Sequence, residues 1–184
     1  MLNIVIPMAG EGSRFKVAGY SDPKPMIKLN NKRMIELVIN NIKPNRKHRF
    51  IFICQSQHLN DTELEQVLKR ASSDCIILSV DKKTGGAAET VLKAEEYINN
   101  EAGLMIANCD QWIDVDINDY LGAADGENVD GMIMTMTAND EKWSFLRLDE
   151  CNRVVEVREK EVISNEASVG IYNFKRGKDF CSAA

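Results

Sequence analysis

The sequence predicts an α/β fold: one open mixed sheet, parallel in its first half, with antiparallel strands added in its second half. Three observations carry this prediction. Short, β-branched apolar runs alternate with helix-periodic segments as far as Asp110. Those apolar runs are nearly continuous, as in strands covered by helices on both faces. Beyond Asp110, strand-like runs follow one another in quick succession, without helices long enough for parallel crossovers.

Asn3–Met8 opens the chain as a short strand. "NKRMIELVINNI" (Asn31–Ile42) places Met34, Ile35, Val38, Ile39 and Ile42 at helical spacing. "RFIFIC" (Arg49–Cys54) reads as a strand, and "NDTELEQVLKRA" (Asn60–Ala71) as a helix capped by Asn60, with Glu63 three residues later. "CIILSV" (Cys75–Val80) is a strand, "GAAETVLKAEEYI" (Gly86–Ile98) a helix and "GLMIAN" (Gly103–Asn108) a strand. A short helix near Asp116–Ala123 precedes the strands "GMIMTMTA", "SFLRLD", "RVVEVREK" and "ASVGIYNF". Met132, Met134 and Met136 alternate along the first of these and read as core packing.

The 184 residues suit a single domain, 1–184, with no repeat or linker. The sequence stops where a strand hands over to a new helix, so the natural protein is expected to continue. Hydrophobic residues at 44% and charged residues at 28% are ordinary for a soluble globular chain able to bury a core. A net charge of −5 argues against nucleic acid as a partner, while allowing a small anion held by a few local cations. No window has the apolar length of a membrane span, and the N-terminus reads as a strand rather than a secretion signal, so no membrane insertion is expected. Five scattered cysteines, odd in number and never closely paired, point to a reducing cytoplasm. His48 and His58, the only histidines, read as solvated loop residues rather than metal ligands.

Open α/β sheets bind ligands beyond the carboxyl ends of their strands. Three stretches fall there: the loop after the first strand, "DKKTGGAAET" after the third and "NCDQW" after the fourth. In the first, Gly10 and Gly12 let backbone amides approach an anion with no side chain between. Arg14 can grip phosphate as a fork, Lys24 offers a compact charge, and Pro23 and Pro25 stiffen the backbone around it. The third glycine of a dinucleotide fingerprint would fall at Phe15, and the Gly-Lys-Ser/Thr of a Walker loop is missing.

"MAGEGSRF…SDPKPMIKL" resembles the opening of the sugar-1-phosphate nucleotidyltransferases, the nucleotide-sugar pyrophosphorylases. The resemblance continues through "TGGAAETVLKA", "NCDQ" and "VVEVREKE…ASVGIYNF", and so covers nearly the whole chain. It implies a Rossmann-like sheet of the nucleotide-diphospho-sugar transferase fold, with a nucleotide-binding half (1–110) and an incomplete acceptor-binding half (111–184). It also implies an in-line reaction between a nucleoside triphosphate and a small phosphorylated acceptor, which needs positioning and charge neutralisation rather than a covalent nucleophile. Carried over residue by residue, Ala9, Gly10, Gly12 and Ser13 would cradle the triphosphate, with Arg14 and Lys24 catalytic. Asp81, Gly86 and Ala87 would meet the base, Asp110 would hold Mg2+, and Glu159 and Lys160 would bind the acceptor. Products of this family commonly feed surface-polysaccharide synthesis, in the cytoplasm; assembly as a homo-oligomer stays open.

Three departures qualify the match. Many uridylyl- and thymidylyltransferases carry Gln where this chain has Asp81, which when ionised only accepts hydrogen bonds; that leans towards CTP over UTP. Ser144 and Glu161 depart from the Tyr-Gly and Glu-Lys-Pro patterns, leaving an unusual sugar phosphate or a phosphorylated alcohol such as phosphocholine as acceptor. A second metal carboxylate, supplied by the family well past Glu159, is absent from these 184 residues, and weak or absent turnover is expected of them alone. Two rivals remain: a glycosyltransferase using "DVD" (Asp114–Asp116) as its Asp-x-Asp, and a non-catalytic nucleotide-binding subunit.

Overall fold

The computed structural model describes residues 1–126 and 129–184, and of Arg14 the backbone alone. β1 (Leu2–Met8) leads through α1 (Ser13–Val17) and a 3-10 turn (Lys24–Met26) into a small hairpin, β2 (Lys28–Leu29) and β3 (Lys32–Arg33). Then come α2 (Met34–Ile42), β4 (His48–Gln55), α3 (Ser56–Asp61), α4 (Leu64–Ala71), β5 (Ile76–Val80), α5 (Ala87–Leu92), α6 (Glu95–Ile98) and β6 (Gly103–Ala107). The second half holds α7 (Ile117–Gly126), β7 (Gly131–Thr137), β8 (Ser144–Leu148), β9 (Val154–Glu159), β10 (Glu166–Phe174) and α8 (Gly177–Ala183).

The large sheet runs β5-β4-β1-β6-β10-β8-β9, with β7 also paired to β10. β5, β4, β1 and β6 are mutually parallel, whereas β10 is antiparallel to β6, β7 and β8, and β9 to β8. This is the architecture the alternation predicted. Because side chains alternate along a strand, each parallel strand feeds two cores. Ile4, Ile6, Phe50, Phe52 and Met105 face α2 and α4, while Val5, Ile51, Ile53 and Leu104 face α5, α6 and α8. All nine are fully buried.

Three local readings need correction. The helix expected from Asn31 begins at Met34, because Asn30 and Asn31 take left-handed conformations (φ 48° and 67°) as the two-residue turn of the hairpin. Its five expected apolar positions are nonetheless all buried. The helix expected over Asn60–Ala71 is two helices, and Asn60 lies inside the first rather than capping the second. Thr62 makes the break: its hydroxyl donates to the His58 carbonyl at 2.6 Å and accepts from the Leu64 N–H at 3.1 Å. Likewise Gly86–Ile98 divides into α5 and α6 around Lys93 and Ala94.

β10 joins the two halves. Along its length Ala167 pairs with Phe145 of β8 and Ile171 with Ala107 of β6, while β7 pairs with both ends. Between them, residues 169–171 stand against one residue of β7, a bulge centred on Gly170. Gly170 has φ +78°, a conformation that suits glycine.

Candidate active site

The carboxyl ends of β1 and β6 and the bulge of β10 open onto one cleft of about 690 Å³. Gly10, Gly12 and Ser13 line it from the first loop, Asn108 to Gln111 from the loop after β6, and Ser168 and Gly170 from the bulge. Trp143 and Ser144 close the far side.

The first loop is fixed at both ends. Gly12 turns the chain with φ +61°, and its carbonyl accepts the N–H groups of Phe15 (2.9 Å) and Lys16 (3.1 Å) to start α1. Upstream, Gln55 at the end of β4 donates Nε2 to the Ala9 carbonyl at 2.7 Å. Nothing would stand within 4 Å of a Cβ on Gly10, so its backbone faces open space. Downstream, Pro23 and Pro25 bracket Lys24 in the 3-10 turn, whose Met26 N–H donates to the Pro23 carbonyl at 2.7 Å. The Lys24 ammonium lies 2.5 Å from Asp110 Oδ2 and 5.6 Å from the Phe15 ring centroid. Lys24 and Asp110, far apart in sequence, thus meet in the middle of the cleft. Asp110 is the one carboxylate among the described residues lining it. Its loop is tied to α2 by Asn41, which donates Nδ2 to the Ile113 carbonyl (2.9 Å) and accepts the Ile113 N–H (2.8 Å).

The other expected residues are placed more loosely. The Arg14 side chain lies outside the described residues. Asp81, Gly86 and Ala87 stand on the same carboxyl edge, beyond β5, and are not among the residues lining the cleft. Asp81 Oδ1 accepts the Ser56 hydroxyl at 2.6 Å. The Gly86 carbonyl accepts the Thr90 N–H and hydroxyl, closing the turn into α5. Glu159 and Lys160 pair with each other at 2.9 Å and are not among the residues lining the cleft. Glu159 stands opposite cleft-lining Ser144 in the β8–β9 ladder, and the Lys160 N–H donates to the Trp143 carbonyl at 3.0 Å. Directly opposed residues share a sheet face, which aims Glu159 to the same side as Ser144.

Of the two tryptophans, Trp143 lines the cleft and Trp112 does not. In "DVD", the Asp116 carboxylate accepts both the Asn118 N–H and its Nδ2 at 2.8 Å, which holds its carboxyl below the usual range. It is therefore used as the cap of α7. His58, in α3, is buried rather than solvated, and burial pushes its pKa down. Cys109 lines the cleft, and burial pushes its thiol up to about 11, which disfavours the reactive thiolate. No histidine lines the cleft among the described residues. Among the described residues the cleft therefore offers positioned charge and bare backbone.

Sequence reasoning placed Asn108 and Gln111 on the ligand edge within "NCDQW" without giving either a role, and gave none to Ser168, Gly170 and Tyr172 on the cleft wall. The isolated glycine inside the strand "ASVGIYNF" was the available signal, since such a glycine marks a bulge or a close approach.

A family model described as nucleotidyl transferase matches residues 4–178. The chain belongs to the nucleotidyl transferase family. Among curated proteins, the chain is similar to the bifunctional protein GlmU of Methanococcus maripaludis (strain C5), at 25% identity over 179 residues, covering 95% of the chain and 40% of that protein. GlmU of Methanocaldococcus jannaschii is 21% identical over 178 residues, with the same two coverages. The chain thus spans about two fifths of the length of these relatives. Among solved structures, the nucleoside-diphosphate-sugar pyrophosphorylase from Vibrio cholerae RC9 matches with a TM-score of 0.75 at 25% identity, over 98% of this chain and 76% of that one. The inositol-1-phosphate CTP transferase from T. maritima matches with 0.79 at 17%, over 97% and 72%. The fold is that of the nucleotide-diphospho-sugar transferases.

Proposed function

We propose that this chain carries the transfer site of an enzyme that moves a nucleoside monophosphate from a triphosphate to a small phosphorylated acceptor. The observation that carries the proposal is the meeting of Lys24 and Asp110, at 2.5 Å, beside the bare backbone of Gly10 and Gly12. An oxygen of the acceptor's phosphate attacks the α-phosphorus, the bond from that phosphorus to the β-bridging oxygen breaks, and pyrophosphate leaves. No histidine-activated nucleophile lines the cleft among the described residues, and the attacking oxygen is taken as the acceptor's own.

Ala9 to Ser13 are assigned to the triphosphate, Lys24 to oxygens at the reacting phosphorus, and Arg14 to the departing pyrophosphate on the family resemblance. Glu159 and Lys160 are assigned to the acceptor, for which their place beside Ser144 is the support. For Mg2+, no group of three or more histidine, cysteine or acidic side chains occurs among the described residues that would cage an ion. A single half-open carboxylate, Asp110, fits an ion held by one protein oxygen together with substrate phosphates and water. Bound there, Mg2+ would neutralise charge on the phosphates.

CTP is favoured slightly over UTP: the Ser56 hydroxyl occupies one oxygen of Asp81 and leaves the other free to accept an amino hydrogen. The scattered free thiols support a cytoplasmic setting, and kinship alone supports surface-polysaccharide precursors as the product class. The capping role of Asp116 favours transfer from a triphosphate over an Asp-x-Asp glycosyltransferase. The test is pyrophosphate release by the full-length protein, screened over CTP, UTP, dTTP and GTP against phosphorylated sugars and alcohols. Release that depends on one triphosphate and one acceptor is the expected result; consumption of a nucleotide sugar with no pyrophosphate from any pair would sink the proposal.

A further inference from the structure

β9 ends the large sheet, and its outer edge has no neighbour among the described residues. Its register on β8 determines which backbone groups that edge presents. The Lys160 N–H donates to the Trp143 carbonyl, and Arg158 and Glu156 stand opposite Phe145 and Arg147, two and four residues further along. Opposed residues in an antiparallel ladder alternate between bonded and non-bonded pairs. Val157 and Glu159, at the positions between, therefore turn their N–H and C=O groups away from β8.

Such an edge is normally covered or guarded by lysine or proline. β5, at the other end of the sheet, keeps its isoleucines, Leu78 and Val80 half-buried. On β9, Val155 is 58% and Val157 51% exposed, and Val154 and Val162 are exposed as well. Four of the eleven large apolar side chains exposed among the described residues thus fall within 154–162, which makes this edge a patch rather than scatter.

The charges on the strand point to what covers it. Glu156 and Arg158 share one face, where Glu156 pairs with Arg147 and, at 2.8 Å, with Arg158. Let two copies of β9 meet antiparallel with Val157 opposite Val157. The outward backbone groups then fall in register, and the two Val157 residues exchange both their hydrogen bonds across the axis. Glu156 of each copy stands opposite Arg158 of the other, between that arginine and its own Arg147. Moving the axis one residue either way would set glutamate against glutamate or arginine against arginine, which is destabilising. The edge is complementary to itself in charge, apolar contact and backbone at once.

We propose that β9 is a self-association edge: two copies of the chain pair through antiparallel β9 strands about an axis at Val157, joining their large sheets end to end.

The test is sedimentation of the full-length protein over a dilution series, with melting temperature checking each variant. A contact one strand wide lies at the low end of specific interfaces, so a dimer that dissociates on dilution is expected. Glu156→Arg and Arg158→Glu should each weaken it at least about tenfold, because the two-fold axis turns both attractive pairs repulsive. The double substitution exchanges the charges and should restore the dissociation constant to within about threefold. Val157→Lys sets two ammonium groups face to face at the axis; it should weaken the dimer by a similar factor, and it serves if a charge variant fails to fold. A monomer at every concentration overturns the proposal, whether another part of the chain or a different protein covers the edge. So does an association that the single substitutions leave unchanged, or one that the double substitution fails to recover.

Discussion

On the β1 side of the cleft, Lys24 is gripped by two prolines, an aromatic ring and Asp110, and the preceding loop is tied to β4 through Gln55. On the β9 side, Glu159 and Lys160 touch each other across 2.9 Å with 75% and 65% of their side chains exposed. Both sides carry charge, but only the first holds it still. An ion pair so exposed contributes little to stability, because water screens it and ordering two long side chains costs entropy. The expected triphosphate side is therefore organised before a ligand arrives, while the expected acceptor side has to be organised by the ligand itself.

Breaking the rigid side should cost most. Lys24→Met should lower the rate of pyrophosphate release by about 10²–10³, the usual cost of removing one preorganised charge at a reacting centre. A loss under tenfold, measured at saturating substrates, would mean that Lys24 is no more committed than Lys160. Next comes the support between the two sides. Gly170→Ala places a Cβ 1.9 Å from Gln111 Oε1 at φ +78°, and should destabilise the fold by about 1–3 kcal/mol in urea titration. On the loose side, Glu159→Gln should raise acceptor KM about tenfold and leave kcat within about threefold, since a hydrogen bond present equally in ground and transition states alters binding alone. Equal losses in kcat and kcat/KM would instead make that side part of the rigid machinery.

The smallest effect tests packing away from the cleft. His58 is buried with its pKa pushed below its ordinary 6.5, first by burial and then by Lys16. The unfolded chain takes up a proton near 6.5 that the folded chain takes up only at lower pH. Stability should therefore fall as pH drops below about 6.5 and through the folded pKa, and His58→Gln should flatten that part of the profile. A slope unchanged by the substitution would assign it to other groups.

The parallel strands and the residues on their carboxyl edge were legible because period and composition are local properties. Ile4, Phe50 and Met105 declare a two-sided core without reference to any partner. The breaks in the helices were less legible: Thr62 competes for backbone groups through its hydroxyl, and an apolar periodicity that continues across it conceals the competition. Asn31 was read as the start of a helix although asparagine readily adopts the left-handed turn it forms with Asn30. The wall on Gly170 was illegible for a different reason. It exists only because β10 bulges beneath the loop that follows β6, and neither segment announces the other.

The Lys24–Asp110 contact has a consequence for how the cleft would receive the proposed ligands. Each group is the other's counter-ion. On the proposed reading, a triphosphate arriving alone must draw Lys24 away from a carboxylate that is then left bare, and a cation arriving alone must evict the ammonium. When the two arrive together, both exposed charges find replacements at once. On that reading the contact would work as a logical AND, admitting a metal–nucleotide complex more readily than either of its parts.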